Sequence, residues 1–127
     1  MIKDRIKTLT DDYAREVAEI LLKTSTSSLF DFTFEKITRQ PFVEQHGCDA
    51  EESINVYFSA TVKHDQYRQS GWKDKKVYVQ IIERDAYHDY PHFNIFYKEE
   101  IDSTWKHDGS LSNYIEAVEF LQKRGYL

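Results

Sequence analysis

The chain has 127 residues, 40% of them hydrophobic and 15% aromatic, which is enough apolar material for one domain-sized core and too much for a disordered segment. Its net charge of -5 argues against a broad nucleic-acid surface, and no apolar run reaches the roughly 18 residues that span a bilayer. A single cysteine, Cys48, excludes an internal disulfide; together with a start that lacks the apolar stretch of a signal peptide, it gives an expectation of a cytoplasmic protein.

Residues 1–23 read as helix, either one long helix or a short turn followed by a helix. Thr10 followed by Asp11 and Asp12 forms an N-cap with an acidic first turn, and Tyr13, Ala14, Val17, Ile20 and Leu21 make an apolar stripe at helical spacing that Ile2, Ile6 and Leu9 extend backwards. The polar run Thr24 to Ser28 ends it. Four segments then place apolar residues at every second position, the signature of strands with one side on a core. Their inward sets are Phe30, Phe32 and Phe34; Ile54, Val56, Phe58, Ala60 and Val62; Val77, Val79 and Ile81; and Phe93, Ile95 and Tyr97.

The connections between these segments hold Pro41, Gly47, Gly71 and Pro91 and leave no room for a crossover helix, so neighbouring strands pair antiparallel. A last amphipathic helix carries Leu111, Tyr114, Ile115, Val118 and Leu121, with Lys123 and Arg124 at its end and Gly125 as its C-cap. The expected architecture is a single α+β domain over residues 1–127. It is a two-layer sandwich in the order α-β-β-β-β-α, a four-stranded antiparallel meander with both helices on one face. The second face of the sheet is left uncovered.

That uncovered face is the first candidate site. The outward positions include Tyr57, Tyr78, Ile82 and Phe96 among Thr33, Thr61, Gln80 and Lys98. Large aromatic side chains concentrate at the centres of binding surfaces, so the expected occupant is a partner protein or a second copy of the chain. A second candidate is the basic segment between the second and third strands, where Lys63, Arg68, Lys73, Lys75 and Lys76 interleave with Tyr67 and Trp72. Such a mixture pairs cations with phosphates while the rings stack on unpaired bases; a solvated polar hairpin loop has the same composition.

The third candidate is a metal-dependent or small-ligand site around His88, His92 and His107, with Asp85, Asp89 and Asp108 beside them. Imidazoles and carboxylates ligate zinc and iron. Pro91 works against the helix that would align His88 with His92, and the segment reads first as a tight reversal. Cys48 lies near His46 among Glu44, Asp49, Glu51 and Glu52; these acids raise a thiol pKa and disfavour nucleophilic catalysis.

No glycine-rich phosphate loop, nucleophile elbow or catalytic carboxylate pair is present. No cofactor is expected, and the sequence favours a non-catalytic binding protein of adaptor, inhibitor or immunity type. A nucleic-acid-binding regulator and a small enzyme are the alternatives.

Overall fold

The computed structural model describes residues 8–23, 27–42, 51–82, 92–108 and 114–127. Helix α1 (Asp11–Leu22) begins at the expected cap: the Thr10 side chain accepts a hydrogen bond from the Tyr13 amide at 3.3 Å, with Asp11 and Asp12 in the first turn. There the two carboxylates oppose the positive end of the helix dipole. Ala14, Val17, Ala18 and Leu21 are fully buried.

Strands β1 (Phe30–Phe42), β2 (Glu51–Val62), β3 (Lys75–Ile82), β4 (His92–Glu99) and β5 (Lys106–Asp108) form one antiparallel sheet in the order β1-β2-β3-β4-β5. A short helix, α2 (Asp65–Gln69), sits in the β2–β3 connection, and helix α3 (Tyr114–Lys123) follows the sheet. This is the α+β meander expected from the alternation, with five strands in place of four. The fifth has the sequence Lys-His-Asp and no apolar alternation by which a strand is recognised.

The inward sets of β2, β3 and β4 interlock because partners opposite each other in an antiparallel pair share a face. Phe58 faces Val77, Val56 faces Val79, and Ile95 in turn faces Val79; all are buried in one core with Val17, Leu21, Ala117 and Leu121 of the helices. Helix α1 lies over β2 and β3 and against α3, while Tyr114 meets Phe93 edge to face at 5.4 Å. Both helices therefore cover the same face. Gly125, at φ 79°, ends α3: its amide donates to the Gln122 carbonyl and the Tyr126 amide donates to the Leu121 carbonyl, the paired bonds of a Schellman cap that favours glycine.

Three local expectations are corrected. Ile115, placed in the apolar stripe of the last helix, is 72% exposed, and Ala117 and Leu121 carry the burial. The β2–β3 connection is partly helical, not an extended polar loop. The first strand continues past Glu35 to Phe42, because a β-bulge between Phe34 and Lys36 resets its alternation. Beyond the bulge Ile37 and Arg39 stand opposite the core residues Val56 and Ile54. Pro41 is tolerated because β1 is an edge strand. Pro41 thus lies in β1 and not in the connection between the first two strands; that connection, with Gly47 and Cys48, falls outside the described residues, as do Ile2, Ile6 and Leu111.

Candidate functional site

On the face away from the helices the register builds rows across the sheet. Lys36, Tyr57, Tyr78, Phe96 and His107 are successive partners on β1 to β5. Tyr78 stacks on Phe96 at 4.8 Å and 20°, and Tyr57 leans on Tyr78 at 5.0 Å. Trp105, in the turn before β5, stands edge-on over Tyr78 at 4.7 Å and over Tyr57 at 6.1 Å. The turn is held by Lys98, whose ammonium donates to the Asp102 carbonyl at 3.0 Å and lies 5.3 Å from the Trp105 ring. At the other end the Lys36 ammonium sits 5.0 Å over Tyr57. Burial, then the neighbouring Tyr57, pushes the Tyr78 phenol above its ordinary pKa, so it stays neutral across the physiological range.

The next row is polar. Thr38, Asn55, Gln80 and Asn94 are successive partners; Asn94 Nδ2 donates to Gln80 Oε1 at 3.1 Å, and His107 Nε2 lies 3.1 Å from Asn94 Oδ1. Asn55 is 2% exposed, and among the described residues neither its Oδ1 nor Thr38 Oγ1 has a hydrogen-bond partner. On the opposite flank of the rings Glu35, the extra residue of the bulge, accepts hydrogen bonds from Lys76 and Ser59. The Lys76 bond leads the causes that lower the Glu35 pKa and raise that of Lys76.

The structure thus brings Tyr57, Tyr78 and Phe96 together as expected and adds Trp105, which the sequence reading did not assign. Two expectations are corrected. Ile82 is 4% exposed, too deeply buried to serve as a contact. The second face is not bare: Trp105 covers its centre, and Ser53, Asn55 and Gln80 are buried on it. A tryptophan shortly after a strand carrying an outward Phe96 was the available signal, but a turn has no periodicity to aim its side chain.

The basic segment is dispersed. Tyr67 packs against the core, and Trp72 stands edge-on to Phe30 at 6.0 Å. Arg68 pairs with Asp74 at 2.8 Å, while Asp74 also accepts from the Val62 amide at 2.9 Å. Lys75 and Lys76 point to opposite faces of β3: the Lys75 ammonium lies 4.7 Å from Phe30 and 5.1 Å from Tyr97 on the helix side. Burial pushes its pKa down. Lys63 and Lys73 are exposed. The recess beside Lys75, lined by Leu22, Phe32, Val77, Ile95 and Asp108, has room for little more than one water molecule.

His92 and His107 both belong to the second face but lie in different rows, His92 opposite Ile82 and His107 opposite Phe96. Four residues along β4 separate those rows by about 13 Å. His88 falls outside the described residues, among which no group of three His, Cys, Asp or Glu side chains is placed to hold a metal. No helix among them is long and apolar enough to cross a membrane. No protein-family model, curated protein or solved structure matches the chain.

Proposed function

We propose that the chain is a non-catalytic binding protein that engages a protein partner through the second face of its sheet. The observation that carries this reading is the cluster of Tyr57, Tyr78, Phe96 and Trp105 opposite the helices, with Lys36 and Lys98 at its ends. Four rings fixed by mutual contact present large area with little rotamer freedom left to lose, which is the composition of interface hot spots. The lysines form a polar rim.

The same geometry disfavours bases as the occupant. Trp105 stands over Tyr78, in the space where a base would stack, and of the two rings of the basic segment Tyr67 packs against the core, leaving only Trp72 exposed.

Affinity purification from the native host, with the chain and a Tyr57→Ser/Phe96→Ser variant compared in parallel, tests the reading. A protein retained by the parent chain at near-equal stoichiometry and lost from the folded variant supports it, provided the purified pair shifts the Trp105 emission on titration in a Trp72→Phe background. Retention of the same protein by both, or recovery of nucleic acid that the double substitution releases, overturns it.

A further inference from the structure

We infer that the free edge of β1 is a homodimerisation edge, on which a second copy of the chain adds its own β1 antiparallel about a two-fold axis between Glu35 and Lys36. Strand β1 is 13 residues long and lies at one edge of the sheet; among the described residues no strand pairs with its outer side. Such an edge is a template for another strand. Helix α1 lies over β2 and β3, so Phe32, Phe34 and Ile37, at the margin of the helical layer, are only half-buried.

The bulge selects the register. In a regular strand, residues an odd number apart point to opposite faces, and a two-fold axis between two residues would set inward side chains against outward ones. Here the insertion of Glu35 puts Phe32, Phe34, Ile37 and Arg39 all on the helix side, opposite Ala60, Phe58, Val56 and Ile54. Thr33 and Thr38 both lie on the far side, opposite Ser59 and Asn55.

Pairing about the Glu35/Lys36 axis then sets Phe34 against Ile37 of the second copy and Thr33 against its Thr38, each with its own face. It also sets Phe32 against Arg39 of the second copy, and Glu35 against its Lys36, once in each direction. The segment Phe34-Glu35-Lys36-Ile37 is complementary to itself in charge and apolarity, as an isologous interface requires.

The test is sedimentation equilibrium of the full chain with charge-reversed variants whose circular dichroism matches the parent. The parent chain is expected to dimerise. Glu35→Lys and Lys36→Glu, which each create two like-charge pairs across the axis, are expected to weaken self-association by about tenfold or more; Glu35→Lys also gives up the bond from Lys76 within its own chain. An equimolar mixture of the two, and the Glu35→Lys/Lys36→Glu double variant, are expected to recover the dimer because opposite charges face each other again. A parent chain that stays monomeric, single variants that dimerise like the parent, or a mixture that fails to associate would each overturn the assignment. The state of the parent chain and the Glu35→Lys variant, which keeps all four rings and Lys36 of the second face, test the edge alone, so the edge can fail without the proposed function failing with it.

Discussion

Replacing Trp105 by alanine tests whether the second face is a packed structure or an incidental scatter of rings. The side chain is half-buried, edge-on to Tyr78 at 4.7 Å and to Tyr57 at 6.1 Å, with the Lys98 ammonium 5.3 Å from its ring. A fully enclosed aromatic side chain buries roughly 150–250 Å². Half of that, at about 25 cal/mol per Å², gives an expected loss of ~2–3 kcal/mol. Urea denaturation should show the loss as a lower midpoint at unchanged slope, with Tm lower by roughly 6–10 °C for a chain of this size. The edge-to-face contact adds a coupling of about 1 kcal/mol, measurable in a double-mutant cycle with Tyr78→Leu. A loss under ~0.5 kcal/mol, or additive single effects, would refute the view that Trp105 closes the centre of this face.

Two further outcomes follow from the polar contacts. Asp74→Ala removes a carboxylate that accepts from the Val62 amide and pairs with Arg68, and should cost about 1.5–2 kcal/mol in denaturant unfolding at neutral pH. The hydrogen bond from Val62, then Arg68, holds the Asp74 pKa below its ordinary value. Its contribution is therefore complete above the ordinary aspartate pKa and is lost as pH falls through the lowered folded value; the gap between parent and variant should close on acidification, and a gap independent of pH would contradict this. Asn55→Val replaces a buried amide whose Oδ1 lacks a partner among the described residues with a side chain suited to strands, and should raise stability by about 1 kcal/mol; a measured loss would show that Asn55 is hydrogen-bonded after all.

The fold was legible wherever alternation ran unbroken. Ile54 to Val62, Val77 to Ile81 and Phe93 to Tyr97 fixed their own faces, and with them the outward parity of Tyr57, Tyr78 and Phe96. Legibility failed where a single residue changed the phase: Glu35 in the bulge hid the second half of β1 and the inward turn of Ile37 and Arg39. It failed again where no period exists. The three polar residues of β5 pair only because β4 offers an edge beside Phe96 and Tyr97, and Trp105 is aimed by a turn that Lys98 and Asp102 tie together. Ile82 had the right parity, but parity says nothing of what else buries a strand end.

The two edges of the sheet are unequal, 13 residues in β1 against three in β5. Growth of a sheet by strand addition needs a long edge on each side of every new unit, and a three-residue edge offers few backbone groups to the next arrival. A two-fold union of β1 strands consumes the long edge of both copies at once and leaves outward, among the described residues, the short edge formed by β5. Assembly by this route ends at two chains and has no path to a filament.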